Sequence, residues 1–256
     1  MTLCIDIGGT GLKAAVLNDN GEIQGEISRI PTTYPMPPDK LVEKLTWQAS
    51  TLGKFDRASC GFPGMVRSGV VLSAPHFVTE SGPGSKIDKD LQEKWSNFDL
   101  AGALTSSLKC ATRVDNDADQ QGAAVISGTG LEMVITLGTG FGTALFLDGQ
   151  LSPHLEIAHQ PFKDGKTYNE LLGEASRKDH GNHHWSQLVR DAIELMEALT
   201  FYDHLYVGGG NAKKIKIELA ANVTLVDNVS GIIGGLRLWQ ASSHPTPVAD
   251  QREDDF

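Results

Sequence analysis

The chain contains few cysteines and no long apolar run. Among its 256 residues, Cys4, Cys60 and Cys110 stand far apart and form no CxxC pair. This spacing excludes a disulfide framework and a cysteine-rich zinc site, so we expect a reducing, cytoplasmic environment. No apolar stretch approaches the roughly 18 residues of a membrane span, and the strand-like segment after Met1 is unlike a secretion signal. We therefore expect neither secretion nor membrane insertion.

Positive charge and the common nucleotide motifs are also scarce. There are 22 Lys and Arg residues against 32 Asp and Glu residues, a net charge of -10, which disfavours nucleic acid as a partner. No GxxxxGK[ST] motif occurs, which excludes the P-loop fold. Gly138, Gly140 and Gly142 give GxGxG rather than a dinucleotide fingerprint. A nucleotide can still bind through main-chain N–H groups, a few cations and a metal ion.

Two stretches of the chain repeat one pattern. Residues 2–23 and 132–151 each read as an apolar strand, a Gly/Thr turn, a second strand and a tight turn. After each stretch, apolar residues recur at helical spacing, over residues 38–52 and 185–199. The sequence therefore predicts an α/β protein of two lobes with a central cleft. We expect residues 1–114 and a last helix at about 229–241 in one lobe, residues 115–228 in the other, and a flexible tail at 242–256.

The two Gly-rich turns are candidate phosphate sites, because glycine lets the backbone approach a phosphate closely. The phosphate-binding prediction covers Gly8, Gly9, Thr10, Lys13, Gly138, Thr139 and Gly140. Asp6, at the end of the first strand, is a candidate ligand for hydrated Mg²⁺. Gly208, Gly209 and Gly210 follow another strand and are candidates for contact with a nucleotide. The alternative for each segment is an ordinary tight turn or a close helix-to-strand connection.

Polar residues after the first lobe are candidates for sugar chemistry. Asp115-Asn116-Asp117-Ala118-Asp119 resembles the start of a calcium loop, but the sixth and twelfth positions do not fit. Asp117 is better interpreted as a general base for an attacking hydroxyl, with Asn116 orienting the sugar; the alternative is a bare acidic turn. Glu156 and His159 fit the pairing of vicinal hydroxyls, or else a surface hydrogen bond. We interpret the histidines at 180, 183 and 184 as part of a solvated loop.

The motifs DIGGTGLKAAV, GFPGMV, DNDAD, ITLGTGFGTALFLDG, EIAH and VGGGNAKKI occur in this order. Together they resemble the ROK family of sugar kinases, in the branch of polyphosphate/ATP-dependent glucokinases and glucomannokinases. The resemblance implies a two-lobed actin-like (ribonuclease H-like) fold, Mg²⁺, and phosphoryl transfer from ATP or polyphosphate to the 6-hydroxyl of glucose. It also implies that Asp117 is the base and that Asn116, Asp117, Glu156, His159 and Glu170 contact the sugar.

The chain departs from the family pattern at two points. Residues 160–177 lack the cysteines of the zinc motif that many members carry, so no zinc is expected, and Ala158 replaces the glycine usual before the histidine. Regulators of the family carry an N-terminal helix-turn-helix, whereas Met1 here leads directly into the first strand, so we do not expect a DNA-binding repressor. A kinase for mannose or an N-acetylated hexosamine, or a non-catalytic sugar sensor, remains the alternative. The resemblance further implies a homodimer.

Overall fold

The computed structural model describes residues 1–82, 84–226 and 231–241. In chain order the strands are β1 (Thr2–Ile7), β2 (Gly11–Leu17), β3 (Ile23–Pro31), β4 (Arg57–Phe62), β5 (Val66–Arg67), β6 (Val70–Val71), β7 (Phe98–Asp99), β8 (Ala111–Asn116), β9 (Leu131–Leu137), β10 (Phe141–Leu147), β11 (Gln150–Leu151), β12 (Pro161–Lys163), β13 (Lys166–Thr167), β14 (His204–Gly208) and β15 (Val223–Leu225). The helices are α1 (Pro38–Ser50), α2 (Lys89–Trp95), α3 (Leu100–Leu108), α4 (Asp117–Ala123), α5 (Tyr168–Leu172), α6 (Glu174–Thr200) and α7 (Gly231–Ala241). Short 3₁₀ helices lie at Ile157–His159 and Ala212–Lys214.

Two five-stranded sheets share one topology. The first has the order β3-β2-β1-β4-β8, and the second has the order β11-β10-β9-β14-β15. In the first sheet an antiparallel β1–β2 hairpin continues into the parallel strands β4 and β8. In the second sheet the β9–β10 hairpin continues in the same way into β14 and β15. The repeated hairpin read from the sequence therefore belongs to two copies of one sheet.

Parallel pairing brings the polar strand ends to one edge of each sheet. In the first sheet Asp6 pairs with Gly61, and Phe62 pairs with Asn116. In the second sheet Gly208 pairs with Thr136, just before the second Gly-rich turn. Ligands of α/β sheets bind beyond the carboxyl ends of the parallel strands. The sheet topology therefore places both Gly-rich turns and the residues after β8 where a ligand would bind.

Each sheet has its own apolar core, covered by helices whose buried residues repeat every three to four positions. Pro38 occupies the first turn of α1, where its missing N–H is not needed, and Leu41 and Leu45 face the first sheet. In α6, Trp185 and Val189 have the same spacing and pack in the core of the second sheet. The helical periodicity of the sequence thus corresponds to burial on one helix face.

The helices α4 and α7 pack closely against each other. A Cβ on Gly234 would overlap the carbonyl of Gln120, so only glycine permits this approach. The Gln120 side-chain amide donates to the carbonyl oxygens of Ile5 at 2.9 Å and of Gly231 at 2.6 Å. Leu236 packs in a buried cluster with residues of β1 and β2. The last helix is therefore anchored both to the first sheet and to α4.

The predicted boundaries of the first lobe, the last helix and the tail can be compared with the described residues. The predicted lobe boundary at residue 114 falls inside β8, which continues to Asn116. Residues 229–230 of the predicted last helix and the predicted tail at 242–256 lie outside the described residues. Within the described part of the chain, no helix is both long enough and apolar enough to cross a membrane.

Candidate active site

Most of the predicted site residues line one cavity of about 360 Å³. They are Asp6, Gly8, Gly9, Thr10, Lys13, Asn116, Asp117, Gly138, Thr139, Gly140, Glu156, His159, Gly209 and Gly210. Both Gly-rich turns, the end of β8 and the residues after β11 therefore share one space. A cavity with convergent polar groups of this kind is the usual form of a small-molecule site.

The first Gly-rich turn is held in place by the segment that directly follows β3. Thr32 Oγ1 donates to the carbonyl of Gly8, and the Tyr34 hydroxyl donates to the carbonyl of Gly9, both at 2.7 Å. Below the turn, Lys13 Nζ lies 2.9 Å from Asp6 Oδ2 across the β1–β2 pair. The turn is thus a fixed loop of main chain with one cation and one carboxylate beside it.

The second Gly-rich turn is fixed by side chains from distant parts of the chain. Asn211 Nδ2 donates to the carbonyl of Gly138 at 3.0 Å, and Asn169 Oδ1 accepts the N–H of Phe141 at 3.0 Å. A Cβ on Gly140 would overlap Asn169 Oδ1, so this position requires glycine. Asn169, which also lines the cavity, was not among the predicted site residues.

Asn116 and Asp117 mark the junction between β8 and α4. Asn116 is the N-cap of α4, and its Oδ1 accepts the N–H of Ala118 at 2.7 Å. Its Nδ2 donates to the carbonyl of Gly64 at 2.9 Å. Asn116 therefore fixes the start of the helix on which Asp117 is the first residue. We predicted Asn116 as a sugar contact, and the capping bonds give it a structural task in addition.

The environment of Asp117 favours its protonated form. Loss of hydration beside the cavity wall, and then the negative charge of Asp6, raise the pKa of Asp117 to about 7. The hydrogen bond from the N–H of Ala118 opposes this shift, while Glu156 and Asp119 add to it. A carboxylate with a pKa near neutrality is suited to accept a proton at physiological pH.

A histidine that the sequence analysis did not single out completes the acidic wall of the cavity. His154 Nδ1 lies 2.9 Å from Asp119 Oδ1, and its Nε2 lies 3.8 Å from Glu156 Oε2. Burial opposes protonation of His154, but the two carboxylates outweigh it and raise the pKa of His154 to about 10. Elsewhere in the cavity lining, burial and then the neighbouring His159 lower the pKa of His76. No local sequence pattern connects these residues.

Two predicted contacts lie away from the cavity. Glu170 is exposed in the capping box of α5, where its carboxylate accepts the N–H of Thr167 at 2.8 Å. Gly208 ends β14 inside the second sheet, while the next two glycines line the cavity. The structure therefore places the Glu170 carboxylate in a helix cap outside the cavity lining, and its role as a sugar contact stays a prediction.

The histidine cluster is also placed differently from the prediction. His180, His183 and His184 lie within α6 rather than in a loop, on either side of a break at Gly181 (φ 76°). His180 stacks on His184 with ring centroids 5.3 Å apart. Within the described residues, no group of three or more His, Cys, Asp or Glu side chains is arranged to hold a metal ion.

Comparison with known proteins identifies the family. The ROK family model matches residues 2–155, more than half of the chain, so the chain belongs to the ROK family. Polyphosphate glucokinase of Mycobacterium tuberculosis strain H37Rv is 25% identical over 245 residues, covering 90% of this chain and 88% of the relative. The resemblance drawn from the six sequence motifs is thus confirmed.

Solved structures support the fold. The inorganic polyphosphate/ATP-glucomannokinase from Arthrobacter sp. strain KM is 29% identical, with a TM-score of 0.77 over 93% of this chain and 98% of that chain. A ROK family glucokinase from Streptomyces griseus, in complex with glucose and AMPPNP, is 16% identical, with a TM-score of 0.66 over 93% and 98% of the two chains. The two-lobed actin-like (ribonuclease H-like) fold is therefore confirmed.

Proposed function

We propose that this chain is a sugar kinase that transfers the terminal phosphoryl group of ATP or polyphosphate to the 6-hydroxyl of glucose. The observation that carries the proposal is the position of Asp117, at the start of α4, in the same cavity as both Gly-rich turns. The names of the relatives, a polyphosphate glucokinase and a polyphosphate/ATP-glucomannokinase, support the sugar and both donors.

Asp117 is the proposed general base. It accepts the proton of the sugar hydroxyl as the hydroxyl oxygen forms a bond to the terminal phosphorus, and the bond from phosphorus to the bridging oxygen of the donor breaks. The products are a sugar phosphate and a donor shortened by one phosphoryl group. Glu156 and His159, which line the cavity, are the proposed contacts for the remaining sugar hydroxyls.

The phosphates of the donor are proposed to lie between the two Gly-rich turns. The main chain of Gly9 and Gly138 reaches the cavity without a Cβ, and Lys13 adds a cation. Asp6 fits a bound Mg²⁺, because Mg²⁺ with phosphates commonly takes only one or two protein carboxylates and completes its shell with water. When bound, the ion would neutralise phosphate charge. The homodimer implied by the family resemblance remains a prediction.

A coupled assay tests the proposal. The purified chain is incubated with glucose, Mg²⁺ and either ATP or polyphosphate, and glucose 6-phosphate is measured through its oxidation by a specific dehydrogenase. We expect product with at least one donor. Parallel reactions with mannose and N-acetylmannosamine identify the preferred hexose. Absence of product from glucose with both donors would overturn the proposal.

A further inference from the structure

One buried histidine in the cavity wall is neither the proposed base nor a proposed contact of the sugar or the phosphates. His154 follows β11, and its side chain is only 6% exposed. Its ring lies between two carboxylates, with Nδ1 2.9 Å from Asp119 Oδ1 and Nε2 3.8 Å from Glu156 Oε2. Asp119 is buried on α4, whereas Glu156 is partly open to the cavity. His154 thus connects a buried anion to a proposed sugar contact.

The geometry determines where the protons of this ring lie. An ionised carboxylate can only accept a hydrogen bond, so Nδ1 of His154 donates to Asp119. In the neutral ring, Nε2 would then present a lone pair, buried without a hydrogen-bond partner, towards the Glu156 carboxylate. Adding a proton at Nε2 replaces this repulsion with an attraction on both sides of the ring. The arrangement therefore favours the imidazolium form of His154.

The charges around the cavity also favour the imidazolium form of His154. The carboxyl groups that face this region come from four elements, and they are Asp6, Asp115, Asp117, Asp119 and Glu156. Lys13 pairs with Asp6, while His159 acts electrostatically on Glu156, and both His159 and Glu156 act on His76. A cation between Asp119 and Glu156 reduces the repulsion that these carboxylates exert on Asp117.

We propose that His154 is a positioning residue whose imidazolium holds the Glu156 carboxylate in the orientation that binds the sugar. The inference rests on the proposed function, because it assigns Glu156 to the sugar. The Nε2–Oε2 distance of 3.8 Å is longer than a hydrogen bond. A movement of about 1 Å would shorten it to a charge-assisted hydrogen bond. Sugar binding closes this gap and leaves the second carboxylate oxygen of Glu156 for a sugar hydroxyl.

Steady-state kinetics separates this role from a general structural one. His154→Gln keeps a hydrogen-bonding side chain but removes the charge. We expect its glucose KM to rise about tenfold or more, as for the loss of a hydrogen bond to a charged group, with the donor KM unchanged within about twofold. The matched control is His183→Gln, on the exposed part of α6, with wild-type constants expected. A wild-type glucose KM in His154→Gln would overturn the inference.

A second variant keeps the test interpretable if His154→Gln fails to fold. His154→Gln leaves Asp119 buried without a cation, so His154→Gln combined with Asp119→Asn removes both charges of the pair and leaves no unpaired charge at position 119. We expect the double variant to melt close to the wild type and still to show the raised glucose KM. A glucose KM restored to the wild-type value in the double variant would overturn the inference.

Nuclear magnetic resonance of ¹⁵N-histidine-labelled wild-type protein measures the protonation of the His154 ring nitrogens directly and does not depend on turnover. We expect both nitrogens of His154 to carry protons at pH 8, whereas a free histidine is neutral there. A neutral His154 ring at pH 8 would overturn the inference whatever the kinetics show. Failure of the wild type to phosphorylate glucose would instead count against the proposed function.

Discussion

The side-chain amide of Asn116 donates a hydrogen bond of 2.9 Å to the main-chain carbonyl of Gly64. This bond links the end of β8 to the loop after β4, while Asn116 Oδ1 caps α4. Asp117 is the next residue, so its position depends directly on both bonds. One buried amide thus couples the geometry of the first sheet to the proposed base.

Asn116→Ala tests this coupling. We expect a loss of about 1–2 kcal/mol in the free energy of unfolding, the usual cost of losing an N-cap, measured by urea denaturation. Turnover should fall by roughly tenfold or more, because small displacements of a catalytic group are costly. Asp88→Ala removes the corresponding cap of α2 and is the control. If Asp88→Ala reduced turnover as strongly as Asn116→Ala, the coupling would be refuted.

Glycine replacements in the second turn should separate stability from donor binding. Gly140→Ala places a Cβ against Asn169 Oδ1, so we expect a loss of about 1–3 kcal/mol in unfolding free energy, as for overpacking elsewhere. Gly138→Ala has no atom near the added Cβ and should change stability by less than about 0.5 kcal/mol. Its donor KM should rise, because the backbone approaches a phosphate less closely. Equal stability of the two variants would contradict this account.

Glu170→Ala separates helix capping from sugar binding at that residue. Because the carboxylate caps α5 and lies away from the cavity, we expect a slightly lower melting temperature and a glucose KM unchanged within about twofold. Glu156→Gln should instead raise the glucose KM by about tenfold or more, since it removes a charged hydrogen-bond acceptor. A large rise in glucose KM for Glu170→Ala would contradict this expectation and support Glu170 as a sugar contact.

The raised pKa of Asp117 predicts two pH effects. Turnover should fall as the pH drops below about 7, because the base becomes protonated. A carboxyl group whose pKa is higher in the folded than in the unfolded state stabilises the protein at low pH, and this stabilisation is lost as the pH rises through about 7. Asp117→Asn should therefore be more stable than the wild type at pH 8, by an amount on the order of 2 kcal/mol. Urea denaturation at pH 5 and pH 8 measures the difference, and equal stability of both proteins at pH 8 would contradict the raised pKa.

The sequence was informative where structure is local. Each Gly-rich turn lies between two apolar strands, so both hairpins were recognisable, and their repetition indicated two sheets of one kind. The tight turn at Asp148-Gly149 was recognisable for the same reason. An Asp-Gly pair favours the positive φ that both residues adopt in the structure. Asp117 stood out as a candidate base because it directly follows a strand in a distinctive acidic motif, and the structure places it at the first position of α4.

The sequence was uninformative where distant residues meet. His154 and Asp119 are 35 positions apart, and only the packing of α4 beside the second hairpin brings them together. Asn169 supports the second turn from α5, yet its neighbour Glu170 was the residue predicted for the site. The histidines at 180, 183 and 184 were predicted to lie in a loop, but the segments on both sides of Gly181 are helical in α6.

The central claim is that Asp117 removes the proton of the attacking sugar hydroxyl. Turnover of glucose by Asp117→Asn, together with glucose binding by calorimetry, tests this claim most directly. We expect turnover to fall by about 10²–10⁴-fold, the usual contribution of a positioned base, while the glucose dissociation constant changes by only a few fold. Turnover close to that of the wild type would contradict the account.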